Sequence, residues 1–305
     1  MTPTSRRSRT TAIAIGLASV LLSSCGIVGD SSEAFSVDGN AYPRSGLNDL
    51  VRALSEANQL NVVKDQADGK DVRAVVNVMV QYRSGARVLE KLGRPVTKAD
   101  RDAIASEVAS QMPPTMPRNV VDLLVDINAT GLAIDKITAL TEAQLKSTYE
   151  SSPASTGALC IREITVPTRD QAVDVLDRLA GGASFADLAA RVSTSKGTKT
   201  KGGAVTGSSG EACMQVAAVA AEPSVGAAVV RAMLGTPVDR TSGIVRDGAG
   251  WHVAVHRPFA EIKDSLGALV SGQPGRALVA GVLATADIRV NPVYGTWDPV
   301  TAKVE

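Results

Sequence analysis

The chain has 305 residues, 32 of them basic and 31 acidic, for a formal net charge of +1. That balance carries none of the basic excess that nucleic-acid binding requires, so no nucleic-acid partner is expected. Aromatic residues make up only 3%, so the cores are expected to be built from small aliphatic side chains, without an aromatic-lined ligand pocket.

Arg6, Arg7 and Arg9 head an apolar stretch from Ala12 to Leu22 that gives way to small residues, the layout of a secretory signal. Eleven residues at about 1.5 Å each cover only about half of a hydrocarbon core roughly 30 Å thick, so this is not a membrane span. Leu22-Ser23-Ser24-Cys25 resembles the lipobox of bacterial lipoprotein signals. The resemblance implies cleavage before Cys25, lipid on its thiol, and anchoring to the outer face of the cytoplasmic membrane. The polar run Ser8 to Thr11 after Arg6-Arg7 argues against twin-arginine export. Residues 1–24 then form the signal and residues 25–34 a lipid-anchored tether. The remaining 281 residues, with three arginines fewer and a net charge of −2, suffice for two modest domains. With Cys25 assigned to lipid, Cys160 and Cys213 are expected to pair as a disulfide outside the cytoplasm, two buried thiols being the alternative.

Residues 35–150 read as a mainly helical segment. Phe35-Ser36-Val37 alternates and turns at Asp38-Gly39-Asn40, a brief strand or hairpin edge. Ser45 is expected to cap a helix whose Leu47, Leu50, Val51 and Leu54 share one face. A second helix is expected over 71–92, stopping at Gly93 with Pro95 beyond. Thr97 with Asp100 caps a third, Pro113, Pro114 and Pro117 break the chain, and a long apolar helix follows over 119–137, interrupted at Gly131. Thr141 and Gln144 form a last capping box. The composition of 151–157 is that of a linker.

Residues 158–260 read as a small α+β domain: a strand over 158–166, helices over 168–179 and 185–192, an exposed polar loop over 193–210, a helix over 223–234, and strands over 242–245 and 251–256. Residues 261–305 form a C-terminal segment whose Tyr294 and Trp297 are expected to pack on the helical part.

Ile161-Arg162-Glu163-Ile164-Thr165-Val166, Ser184-Phe185-Ala186-Asp187-Leu188-Ala189, Lys201-Gly202-Gly203, Ser242-Gly243-Ile244-Val245 and Gly250-Trp251-His252-Val253 resemble, in order and spacing, a parvulin-type prolyl isomerase domain. Upstream, Val37-Asp38-Gly39-Asn40 followed by a helix resembles the opening of the chaperone segment of SurA-like and PrsA-like foldases. The resemblance implies a site at His252, with Glu163 where the family keeps a first-strand histidine, Ser195 where it keeps an acid or cysteine, and Met214 at the pocket methionine. No Phe, Tyr or Trp lies between Met214 and Leu234 to wall a proline ring. Twisting an X-Pro bond needs differential binding of the twisted amide rather than bond breaking, so the losses imply a degenerate site.

Glu163 reads either as a carboxylate placed in the site or as a solvated strand residue, and His252 alone more readily as a core histidine. His256, four residues on, lies roughly 13 Å away at ~3.3 Å per residue, so the two histidines do not share a metal. No metal or cofactor is expected. Ser208 and Ser209 lack a base partner, and Lys196, Lys199 and Lys201 read as a solvated loop, contact with anionic lipid head groups or a client peptide being the alternative. The combined expectation is a lipid-anchored envelope chaperone whose partners are unfolded or newly secreted polypeptides. An active peptidyl-prolyl isomerase and a scaffold for one fixed partner stay open as alternatives.

Overall fold

The computed structural model describes residues 32–63, 66–222 and 225–305. The expected leader, Cys25 and most of the tether lie outside the described residues. The described residues open with a hairpin, β1 (Glu33–Val37) and β2 (Asn40–Pro43), turned by Asp38 and Gly39, both with positive φ. Helix α1 (Arg44–Glu56) follows. It starts one residue before the expected cap, because Pro43 in an extended conformation already sets the first turn and Ser45 lies inside the helix. Two short strands, β3 (Val62–Val63) and β4 (Gln66–Ala67), lead to α2 (Gly69–Lys91), capped by the Asp68 carboxylate. Thr97 and Asp100 close a capping box at the start of α3 (Lys98–Gln111).

Helix α4 (Arg118–Asp135) runs unbroken through Gly131. A single glycine costs about 1 kcal/mol of helix propensity, which the buried face of Val120, Val125, Ala129, Ala133 and Ile134 outweighs. A second capping box, Thr141 with Gln144, opens α5 (Glu142–Ser151). The expected linker after it is instead a packed 3-10 turn, Pro153–Thr156, with Pro153, Ala154 and Thr156 buried. Small residues that read as linker in sequence here let a backbone approach closely.

The α+β domain opens with β5 (Ala158–Leu159) and β6 (Ile161–Val166), one expected strand divided at Cys160. Helices α6 (Arg169–Ala180) and α7 (Phe185–Val192) are capped by Thr168 and Ser184. The stretch after them is not an open loop: it holds α8 (Lys196–Lys199) and the buried Ser193, Thr198, Ala204 and Val205. Then come β7 (Met214–Gln215), α9 (Val216–Ala220), α10 (Gly226–Leu234), β8 (Val245–Arg246) and β9 (Trp251–His256). The sheet order is β6-β9-β8, all antiparallel, with β9 in the centre.

The C-terminal segment comprises α11 (Phe259–Ser271), α12 (Pro274–Thr285), β10 (Ile288–Val290), β11 (Trp297–Asp298) and β12 (Lys303–Val304). Strand β10 pairs with β1, about 250 residues earlier in the chain, so the first sheet is completed only by the last elements. Trp297 donates its indole N–H to the Leu283 carbonyl, and the Val304 amide bonds Asn77 on α2. Helix α12 lies between the two halves and touches α2, α4 and the 3-10 turn. Its small residues make this possible: a Cβ on Gly281 would stand 1.9 Å from the Ser155 carbonyl oxygen, and one on Gly275 2.1 Å from that of Ile134.

Candidate functional site

Antiparallel pairing of β6 with β9 puts Thr165 opposite His252 and Glu163 opposite Ala254. Glu163 and His252 are therefore diagonal neighbours on one face of the sheet. His252 Nδ1 lies 2.6 Å from Glu163 Oε1, and that carboxylate also accepts from the Thr165 hydroxyl. On the other side of the ring, Nε2 lies 2.6 Å from Asp247 Oδ1. Glu163 and His252 are fully buried, so the reading of Glu163 as a solvated strand residue does not hold. The Asp247 side chain keeps 19% of its surface exposed.

Asp247 reaches the ring because the chain turns back over 247–250. The same Oδ1 accepts from the amides of Ala249, at 2.7 Å, and Gly250, at 3.2 Å. Gly226, at the start of α10, fits beneath it with positive φ; a Cβ there would meet Asp247 Oδ2 at 2.8 Å.

Two carboxylates, one on each ring nitrogen, require both nitrogens to donate, which only the imidazolium can do. Burial disfavours the charged ring, but the hydrogen bonds to Glu163 and Asp247 and their charges outweigh it and raise the His252 pKa above its ordinary value. Burial likewise pushes Asp247 up, and the His252 and backbone hydrogen bonds reverse this, leaving its carboxyl below the usual range. The cluster holds the ring in place from both sides. Both ring nitrogens are engaged and no edge of the ring faces solvent.

The other expected site residues sit apart from this triad. Ser195 precedes α8 without capping it; its amide donates to Ser193 Oγ, and its own hydroxyl is enclosed without a partner. Ser193 and Thr194, rather than Ser195, hold the Thr165 backbone. Met214 pairs with Leu159 in β7 and packs on a core of Leu159, Ile161, Val216, Val229, Val230, Met233 and Ala254 that contains no aromatic residue. Cys160 and Cys213 are joined in a disulfide within a core shared by Tyr149 of α5 and Phe259, Ile262 and Leu266 of α11. Among the described residues no group of three His, Cys, Asp or Glu side chains is arranged to hold a metal ion.

Asp247 is the member of this cluster that sequence reasoning missed. Its signal was local: an aspartate heading a Gly-containing turn five residues before His252, a spacing at which an Asx turn folds the carboxylate back over the strand it precedes.

Comparison with known proteins agrees with this layout. A family model described as the PPIC-type PPIase domain of the rotamase family matches residues 161–256, from the first residue of β6 to the last of β9. No curated protein sequence matches. Among solved structures, PrsA from Bacillus subtilis is 19% identical, with 83% of this chain and 91% of that chain covered and a TM-score of 0.29. The foldase protein PrsA from Streptococcus pneumoniae gives 18%, 83% and 91% with a TM-score of 0.28. A structure titled for SurA-like chaperones of Campylobacter jejuni gives 15%, 80% and 92% with a TM-score of 0.26. At these scores the overall superposition is poor, and no functional property is carried across from it. The family match and the strand-helix order assign residues 161–256 to the PPIC-type rotamase domains, the parvulin-type fold.

Proposed function

We propose that this protein is a lipid-anchored chaperone of the cell envelope that holds unfolded or newly secreted polypeptides and whose isomerase site is degenerate. The observation that carries the reading is His252, closed between Glu163 and Asp247 and buried from solvent inside a rotamase domain. A site that lowers the barrier to amide rotation must touch the twisting bond, and a sealed imidazolium beside a wall without aromatic rings offers little differential binding. Client holding is supported by an open groove of about 440 Å³ in the helical half, lined by Leu50, Leu54, Val75, Val78, Met79 and Ile127. Val78 is 46% exposed there, which is the character of a surface that takes up apolar segments.

Export is supported by the leader-like start and by the Cys160–Cys213 disulfide, since such bonds persist in oxidising compartments. No described helix is long and apolar enough to cross a membrane. The anchor in this reading is lipid on Cys25, as the resemblance of Leu22-Ser23-Ser24-Cys25 to a lipobox implies. The Cys25→Ala variant is then expected in the soluble fraction or as uncleaved precursor; retention on membranes through a high-salt wash would contradict the anchor.

Function is tested by two assays on the mature protein. Aggregation of a reduced substrate should be suppressed at stoichiometric amounts, and Val78→Glu should weaken this at least about threefold, the cost of placing a charge in an apolar groove. A protease-coupled assay on a proline tetrapeptide should show little acceleration. Strong turnover that is lost in a folded His252→Ala variant would instead make the chain an active isomerase, the alternative that the family match favours. Absence of any effect on aggregation would leave the fixed-partner scaffold.

A further inference from the structure

The rotamase domain holds three ionisable side chains in one line, Glu163, His252 and Asp247, and their burial is unequal. Glu163 is completely enclosed, whereas Asp247 stands at the tip of the β8–β9 hairpin and keeps contact with solvent. A single oxygen, Asp247 Oδ1, receives the His252 ring and the two amides that shape the tip.

We propose that Asp247 is a protonation-dependent latch: the hairpin tip at residues 247–250 is locked over His252 while the ring is charged and released when the ring is neutral.

A neutral imidazole has one N–H and two carboxylate neighbours. It keeps the N–H on Nδ1, because an unpaired charge on the enclosed Glu163 costs more than one on Asp247, which water can reach. The Nε2 lone pair then faces Asp247 Oδ1, and the attraction between ring and tip becomes repulsion. Asp247 turns to solvent and the Ala249 and Gly250 amides lose their acceptor. The hairpin stem stays paired, since Val245 remains opposite His252 and Arg246 stacks on Trp251 at 5.3 Å. Release uncovers Nε2 of a neutral histidine at the edge of the domain.

The charges that reach His252 are those of Glu163 and Asp247. Of the other charged groups on packed elements, Arg231 of α10 pairs with Asp298, and Arg162 of β6 pairs with Glu261. Arg246 of β8 lies over Trp251. On α7 and α8, packed against β6, Asp187, Arg191 and Lys196 are exposed and Lys199 is partly so. The charged residues of α6, Arg169, Asp170, Asp174, Asp177 and Arg178, are all exposed. His256, at the far end of β9, is held down to about 4 by burial and stays neutral in the range concerned. The latch needs no client and is independent of the chaperone reading.

The test follows amide exchange of the full mature chain by NMR, corrected for intrinsic pH dependence, from about pH 5.5 to about pH 9, with the imidazole resonances recorded in parallel. Protection at Ala249 and Gly250 should fall about tenfold or more across that range, with a midpoint equal to the His252 titration, while α6 stays protected. Asp247→Asn can accept from a charged ring and donate to a neutral one, so its tip should stay protected at both ends of the range. Asp247→Ala should be open at both. A flat profile in the unmodified protein overturns the latch. So does a step that survives Asp247→Asn, or one that accompanies loss of protection throughout the domain. The midpoint comparison in the unmodified chain decides the matter even if a variant does not fold.

Discussion

His252 and His256 stand on one strand, and their pKa values are displaced in opposite directions from the ordinary histidine value. His256 is enclosed against the edge of Tyr149, with Nε2 3.1 Å from the Met233 carbonyl and no acid beside it. Burial therefore pushes it down to about 4, and it folds neutral. The unfolded chain takes up this proton near 6.5 and the folded chain only near 4, so acidification through that window favours unfolding by on the order of 3 kcal/mol. His252 is raised, so its stabilising contribution is complete below about 6.5 and is lost as pH rises through its folded value. Asp247 is lowered, so its contribution is present above about 4 and is lost as pH falls through its folded value. Urea denaturation at several pH values should accordingly show a maximum near neutrality with decline on both sides. His256→Gln should flatten the acid side and leave the alkaline decline in place.

At the scale of elements, two joints stand out, one inside the rotamase domain where α5 and α11 pack on it, the other between α12 and the 3-10 turn. The disulfide closes a loop of 53 residues and ties the start of β6 to the segment before β7, beneath α5 and α11. The chain-entropy relation gives about 4 kcal/mol for a loop of that length. Reduction under native conditions should lower the denaturation midpoint correspondingly, and an unchanged midpoint would show that the closed loop contributes nothing. The second joint is the contact of α12 with the 3-10 turn, where the Ser155 carbonyl leaves no room for a Cβ on Gly281 and the Ala277 carbonyl none for one on Gly157. Gly281→Ala is expected to destabilise by about 2 kcal/mol or more despite alanine's better helix propensity, because backbone on both sides has to part. A stability gain in thermal melts would mean that the joint is not packed as described.

For the whole molecule, the first and last elements form one structural unit. Strand β10 covers the edge of β1, and Tyr294, Trp297, Ala302 and Val304 pack on the core built by Phe35, Leu47, Leu50 and Met79. Removing residues 286–305 should therefore unfold or loosen the helical half while leaving the rotamase segment folded, as limited proteolysis or amide exchange would reveal. A truncated chain with an intact helical half would show that the tail is an ornament on it. The order of segments also delays folding: β1 pairs with β2 at once, but its other edge waits for β10 until nearly the whole chain is available, and pairing at such sequence separation is slow.

The local devices were legible in sequence. Thr97 with Asp100, Thr141 with Gln144 and Ser184 before Phe185 act within a few residues of themselves, and apolar spacing marked the helices from Leu47 onward. His252 and Glu163 could also be singled out, through the resemblance of the strands that carry them to a parvulin-type domain. What needed the tertiary structure was the partner of each. Whether Glu163 faced water or an imidazole depended on the register of β6 against β9, and Asp247 joined the site only through the turn that folds it back. The packing of Ser151 to Gly157 reversed its linker-like composition, because small residues serve equally for solvent exposure and for backbone contact, and only the arrival of α12 selects between them. Sequence alone sets propensities and faces, which are short-range properties; the protonation of His252 and the closure of its site arise from groups 89 residues away and five residues away that share one buried volume.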